Sequence, residues 1–196
     1  SGGGIEAAWY RGDNWLWLLR PLELLFRLVV SLRSKAYGRG LFRAYRADKP
    51  VVIVGNITVG GTGKTPVVIA LCEALQAQGF KPGVVSRGYG AKAGPETFPH
   101  TVDENSTADQ CGDEPLLIFR RTGVPVVVAP KRPVACRALL QDKQVDIVLS
   151  DDGLQHYALH RDIEIAVVDV AIEHGNGFLI PAGPLREKPA RLNSVE

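Results

Sequence analysis

Residues Val51 to Thr65 read VVIVGNITVGGTGKT, and this stretch constrains the fold more than any other. The apolar run Val51–Val54 predicts a buried strand. A glycine-rich turn follows, and Gly63-Lys64-Thr65 opens the helical-looking VVIALCEALQAQ. A strand, a glycine loop and a helix start, in that order, make a phosphate cradle. Successive backbone N–H groups and the helix N-terminus converge there on anionic oxygens. The loop residues are Thr58, Val59, Gly60, Gly61, Thr62, Gly63, Lys64 and Thr65. Lys64 is placed to reach the β- and γ-phosphates, and the Thr65 hydroxyl to bind Mg²⁺. A nucleoside triphosphate is therefore expected. The pattern G-x-x-x-x-G-K-[ST] asks for glycine at position 58, where threonine stands. Gly60 and Gly61 supply backbone freedom instead. The plainer alternative is a glycine turn that only joins strand to helix. Lys-Thr opening a helix directly after a strand argues against it.

The 196 residues are 45% apolar with a net charge of +2, which suits one globular α/β domain with a sizeable core. Cys72, Cys111 and Cys136 are odd in number and far apart. They form neither a disulfide framework nor a metal pair, and they fit a reducing cytosolic compartment. Arg20, Glu23 and Arg27 interrupt the first apolar stretch and no small-residue cleavage site follows, so no secretory signal peptide is expected. Ser1-Gly2-Gly3-Gly4 (residues 1–4) reads as foreign leader sequence, and the chain has no methionine. Charge is divided unevenly. Residues 11–49 hold nine Lys/Arg against three Asp/Glu, a net of +6, whereas residues 50–196 hold fourteen against seventeen, a net of −3. That split predicts a basic arm (residues 5–49) attached to an enzyme-like body (residues 50–196).

Within the arm, Asn14 to Arg33 reads NWLWLLRPLELLFRLVVSLR. Polar residues fall at Arg20, Glu23, Arg27 and Ser31, one narrow helical stripe on an otherwise apolar surface. Three charges between Leu19 and Leu28 argue against a full membrane span. An interfacial helix fits better, with Trp15 and Trp17 at its rim and Arg33, Lys35, Arg39, Arg43, Arg46 and Lys49 for anionic headgroups. Pro21 starts a second helix or kinks the first. The competing reading is a helix packed on the protein's own core or on a partner.

From Pro50 onward, short apolar runs alternate with helical stretches. The expected strands are Val51–Gly55, Gly83–Ser86, Val124–Val128, Asp146–Ser150 and Ile163–Asp169, and the expected helices Lys64–Gln78, Gly112–Arg121 and Arg132–Gln141. The alternation predicts an α/β fold, a mostly parallel sheet with helices on both faces. Residues Tyr89–Gln110 are rich in Gly, Pro, Thr and Asp and read as a long functional loop.

Val145 to Ser150 then runs into Asp151-Asp152-Gly153. A buried strand that delivers carboxylates to its C-terminal edge is the second element of a nucleotide site, holding Mg²⁺ beside Thr65. Alone, Asp-Asp-Gly is equally a surface turn. Gly112-Asp113-Glu114-Pro115 sits at a helix start, where the acids either cap the helix or supply a general base. Gln155-His156-Tyr157 follows the aspartates, so His156 is either a packed residue or a member of the reacting site.

Taken together, the segments GNITVGGTGKTP (55–66), GVVSRGYG (83–90), ADQCGDEPLLI (108–118), SDDGLQHYALHRDIEI (150–165) and GNGFLIPAGPLRE (175–187) closely resemble the tetraacyldisaccharide 4′-kinase (lipid A 4′-kinase) family of Gram-negative bacteria. The resemblance spans nearly all of residues 9–196, and that family shares the imperfect loop with Thr58. It implies a P-loop kinase fold and an ATP-dependent transferase of lipid A biosynthesis. The γ-phosphate goes to the 4′-hydroxyl of a tetraacylated disaccharide 1-phosphate, giving lipid IVA, at the cytoplasmic face of the inner membrane. It further implies Lys64 and Thr65 at the phosphates and Mg²⁺, Asp113 as catalytic base beside Glu114, and Asp151 and Asp152 at the metal. Gln155 and His156 lie near the reacting phosphate, Arg87 and Tyr89 line the cleft, and Arg132 and Arg186 are candidates for phosphate or headgroup contacts. The latter two are otherwise solvated helix-start and loop arginines. Members of that family run beyond residue 196, so its C-terminal part, including a histidine thought to pair with the aspartate base, is expected to be absent. No nucleic-acid partner is expected. A nucleotide-switched, GTPase-like membrane module competes with this reading, but no N/T-K-x-D motif supports guanine selectivity. A fragment that binds nucleotide without turnover is the third reading.

Overall fold

The computed structural model describes residues 4–60, 63–92, 94, 97–142, 144–169 and 174–195. Its elements in chain order are α1 (Ile5–Arg11), a 3₁₀ turn (Asn14–Leu19), α2 (Arg20–Gly38), β1 (Val51–Gly55), α3 (Lys64–Ala77), β2 (Pro82–Ser86) and β3 (His100–Thr101). There follow α4 (Ala108–Cys111), α5 (Asp113–Thr122), β4 (Val126–Val128), α6 (Arg132–Asp142), β5 (Ile147–Asp151), β6 (Ile163–Ala166) and a 3₁₀ helix over Pro189–Ser194. The chain divides into two compact units. One comprises Ser1–Arg43, Asn56–Thr62 and Ala166–Val195, and the other Ala44–Gly55, Gly63–Ile165 and Glu196.

The larger unit is built on a six-stranded sheet in the order β3-β4-β2-β5-β1-β6. β5 lies between β1 and β2 and pairs with both in parallel, and β2 pairs with β4 in parallel. Parallel strands covered by helices need apolar side chains on both faces, which is why these strands read as unbroken Val/Ile/Leu runs. Ile53, Val54, Val84, Val85, Val126, Val127, Val148 and Leu149 are fully buried. Each such side chain contributes about 1.5–3 kcal/mol by leaving water. α3 packs on β1, β2 and β5 and against α5, while α6 packs on β2 and β4.

The expected α/β fold with a mostly parallel sheet is present, and its boundaries differ in detail. The strand expected from Val124 begins at Val126, after Pro125, whose nitrogen has no proton for a ladder. The long loop contains a two-residue strand, β3, antiparallel on β4, and the short helix α4, closed by a reciprocal Thr107–Gln110 capping box. Both are too short for a periodic signal. α5 starts at Asp113 because Gly112 takes a left-handed turn (φ 90°, ψ 157°) that breaks the path from α4.

Gly112 also touches the other glycine motif. A Cβ there would lie 2.6 Å from the Tyr89 carbonyl oxygen, and one on Gly88 (φ 73°) would collide with Val128 and lie 3.1 Å from the Cys111 carbonyl oxygen. The backbones of RGYG and CGDE therefore meet without a side chain between them, which fixes the start of α5 against the end of β2.

The smaller unit has its own cluster of Ala8, Trp9 and Leu16, with Leu19 and Val59 packed on it. Trp9 Nε1–H donates to the Pro181 carbonyl at 3.0 Å. Residues 57–59 run along residues 184–186: Val59 N–H donates to Pro184 O at 2.7 Å and Arg186 N–H to Ile57 O at 2.6 Å. Helix α2 presents its apolar side outward. Leu22, Leu24, Leu25, Leu28, Val29 and Leu32 are each more than half exposed, while Glu23 is only 1% exposed. No helix among the described residues is long and apolar enough to cross a membrane.

Substituting Gly112→Ala forces a Cβ against the Tyr89 carbonyl in a backbone conformation that disfavours one. The expected cost is about 2 kcal/mol, a Tm lower by about 4–8 °C in a calorimetric melt. An unchanged Tm would show that the two loops do not meet as described.

Candidate functional site

Register assembles the site of the larger unit. Val54 of β1 pairs with Asp151 of β5, and Val85 of β2 pairs with Ser150. The C-terminal edge of three neighbouring strands therefore carries Gly55, Asp151 and Ser86, the place where parallel sheets hold their ligands. Ser86 Oγ–H donates to Asp151 Oδ2 at 3.4 Å. Gly63, in a left-handed conformation (φ 74°), caps α3, so Lys64 and Thr65 stand in its first turn. Both are 9% exposed. Lys64 Nζ lies 3.6 Å from Asp152 Oδ1. Asp152 has φ 49°, unusual for a residue with a side chain. Such strain costs about 1–2 kcal/mol and clusters at functional sites.

Arg132, the first residue of α6, is 1% exposed. Its Nε–H donates to Ser150 Oγ at 3.2 Å, and its Nη2 to the backbone carbonyls of Asp151 and Asp152. The guanidinium thus clasps the end of β5 from beneath. Burial lowers its pKa to about 10, offset by the two aspartates, so it stays charged at neutral pH. Asp151 shows the converse. Burial raises its carboxyl from 3.8 to about 6, with a further push from Glu114, while Arg132 and Lys64 pull it down. Glu114, at the exposed start of α5, and Asp152 are thus the acids whose charges reach Asp151.

Asp113 precedes Glu114 and is also exposed. Arg87 and Tyr89 follow β2, with Tyr89 88% exposed, and the charge of Arg87 is felt at Arg132. Gln155 and His156 are half-buried in a turn closed by His156 N–H to Gly153 O at 2.9 Å. Arg161 braces that turn, its Nη1 donating to Leu154 O at 2.9 Å and to Glu164 Oε1 at 2.7 Å. In the smaller unit, Thr58 is buried and accepts a hydrogen bond from Asn56 Nδ2 at 3.3 Å, and Gly60 is exposed with φ 118°. Val59 and Arg186 take part in the backbone pairing described above. Gly61 and Thr62 lie outside the described residues. Sequence reasoning passed over Ser86, Ser150 and Arg161. The first two carried a signal, since each is an isolated polar residue at the end of an apolar strand.

The arrangement suits Mg²⁺. Among the described residues Asp151 Oδ1 is buried without a hydrogen-bond partner, and the nearby donors are hard oxygens: the Thr65 hydroxyl and two carboxylates. Among the described residues, no group of three or more His, Cys, Asp or Glu forms a closed metal site. Nucleotide-bound Mg²⁺ needs none, because it takes one or two carboxylates and completes its shell with phosphate and water.

The Asp151 shift has a direct consequence without metal. Because the folded pKa exceeds the unfolded one, stability from this group is whole below pH ~4 and is lost as pH rises through about 6. The loss is about 3 kcal/mol. Asp151→Asn removes that titration. Urea unfolding in EDTA should find the variant gaining on the wild-type chain between pH 4 and pH 8. Parallel pH profiles for the two proteins would overturn the assignment.

Residues 15–196 match the family described as "Tetraacyldisaccharide-1-P 4'-kinase". Proteins named tetraacyldisaccharide 4'-kinase are 57% identical in Aeromonas salmonicida, over 98% of this chain and 57% of the relative, and 55% identical in Azotobacter vinelandii, over 96% and 56%. The chain is also similar to a crystal structure of LpxK from Aquifex aeolicus in complex with ATP. The TM-score is 0.79 at 28% identity, covering 92% of this chain and 56% of that one. The chain thus spans somewhat over half the length of these relatives. With the family match running from residue 15 to residue 196, the chain belongs to the tetraacyldisaccharide-1-P 4'-kinase family.

Proposed function

We propose that this chain carries the ATP site of a lipid kinase. The enzyme moves the γ-phosphate of ATP to the 4′-hydroxyl of tetraacyldisaccharide 1-phosphate and gives lipid IVA. The observation that carries the reading is the meeting of Lys64 with Asp152 at the helix start, beside a buried Asp151 whose second oxygen is unpartnered. Family membership and the ATP in the similar LpxK structure support the choice of nucleotide and acceptor.

In this reading the α3 N-terminus and Lys64 hold the β- and γ-phosphates. Thr65 and the Asp151–Asp152 pair would hold Mg²⁺, which would supply positive charge to offset that of the phosphates. Asp113, exposed at the start of α5, accepts the proton of the 4′-hydroxyl as its oxygen bonds to the γ-phosphorus and the bond to the ADP oxygen breaks. Glu114 stands beside Asp113, and His156 and Gln155 steady the transferred phosphoryl group. Arg87 and Tyr89 receive the acceptor's phosphate and sugar; Arg186, in the smaller unit, is a separate candidate for a phosphate or headgroup contact. Arg132 acts from below by holding the aspartates. Residues 5–49 act as a peripheral membrane arm on the cytoplasmic face of the inner membrane, and residues 50–196 hold the chemistry. The outward apolar side of α2 supports that arm: a helix rich in exposed Leu and Val next to basic residues suits a bilayer surface.

Calorimetric titration of this chain should give binding of ATP with Mg²⁺ in preference to GTP, weakened more than tenfold in Lys64→Ala. In a protein of the relatives' length, Asp113→Ala should lower phosphoryl transfer about 10²–10⁴-fold with ATP affinity within threefold of wild type. Full activity in that variant would remove Asp113 from the base role. A chain that binds neither nucleotide would overturn the reading.

A further inference from the structure

The smaller unit holds a cavity of about 350 Å³ that the proposed kinase chemistry does not use. Its walls are the polar side of α2 (Arg20, Glu23 and Arg27), the turn Gly177-Phe178-Leu179 and the start of the last 3₁₀ helix (Lys188, Pro189 and Ala190). Two features separate it from an ordinary surface dent.

The first is charge. Arg20 is committed: its Nη1 pairs with Glu23 Oε2 at 3.1 Å and its guanidinium lies 4.0 Å over the Phe178 ring. Glu23, 1% exposed, is neutralised by that pair. Arg27 and Lys188 are exposed, and among the described residues neither has an ion-pair partner. With Arg20 and Glu23 offsetting each other, the cavity carries a net of two positive charges.

The second feature is its neighbour. Arg27 stands on the same helix whose other side exposes Leu22, Leu25, Leu28, Val29 and Leu32. Arginine and lysine stems lie along apolar surface while their heads seek anionic oxygen. A ligand that satisfies both sides of α2 has a negative head attached to long apolar chains.

We propose that this cavity binds the phosphodiester headgroup of an anionic membrane phospholipid, with Arg27 and Lys188 on the phosphate and the acyl chains along the apolar side of α2. The proposal rests on the interfacial reading of α2. It adds to that reading a discrete site, where diffuse attraction to a charged surface would need none.

The test is sedimentation of the 196-residue chain with vesicles of phosphatidylcholine alone or with about one-third phosphatidylglycerol. Wild type should bind both and favour the anionic vesicles. Arg27→Gln with Lys188→Gln should reduce that preference about 25-fold, about fivefold for each cation removed. Ala190→Phe fills the cavity without changing charge, and should abolish most of the preference while binding to neutral vesicles persists. Circular dichroism and thermal melts check that both variants fold. If Ala190→Phe, folded, keeps the full preference, attraction is diffuse and the pocket is overturned, with the interfacial helix intact. If wild type binds neither vesicle, the interfacial reading falls and the pocket with it. Inorganic phosphate is titrated separately. Saturation by millimolar phosphate without any Ala190-dependent lipid preference would make the cavity a soluble-anion site and overturn the lipid assignment.

Discussion

The site depends on one pairing, the insertion of β5 between β1 and β2. Hydrogen bonds on both sides set the height of Asp151 against Val54, and of Ser150 against Val85. A slip of one residue would turn Asp151 to the opposite face and put Ser150 or Asp152 at its height. Apolar side chains on both faces of β5 make such a slip costly, because every buried Val and Leu would change its partners. The geometry of the candidate site is therefore secured by the same valines that fill the core.

Around that strand end the protein accepts charge in a dry place. Arg132 is buried beneath two aspartates and spends its donors on a serine hydroxyl and two backbone carbonyls. Among the described residues its Nη1 and the Asp151 Oδ1 have no hydrogen-bond partner. Buried ion pairs rarely add stability over apolar packing, so this cluster is better understood as prepared for a charged ligand. The strained backbone of Asp152 and the elevated pKa of Asp151 belong to the same pattern. Local rules are broken together at one edge of an otherwise consistent fold.

Helix α2 departs from expectation in a different sense. A helix on a protein surface normally buries its apolar side and wets its polar one. Here Glu23 is inside and a row of leucines is outside. The buried side is held by the Arg20–Glu23 pair and by Arg20 over Phe178, with Trp17 edge-on to the same ring at 5.8 Å. The polar stripe, too narrow to keep a helix in water, is used for anchoring to the protein. The wide apolar surface stays exposed, the side on which the proposed membrane arm relies.

Much was legible in the residues alone. The expected phosphate loop is a local device: Gly63 turns the chain and Lys64 and Thr65 follow it into a helix. The buried strands were legible because doubly covered strands have no polar face. The narrow stripe of α2 was visible as periodicity. The sequence favoured an outward apolar side for that helix, but it could not name what holds the polar side, because Phe178 is far along the chain. Nor could it assign Arg132, read as a candidate for phosphate or headgroup contacts or else as a solvated helix-start arginine; the structure buries it against the end of β5. Strand order, and with it the meeting of Ser86, Asp151 and Lys64, comes from pairing between segments dozens of residues apart. Local chemistry wrote the parts of the site into the chain. Long-range burial and hydrogen-bond registry decided which parts meet.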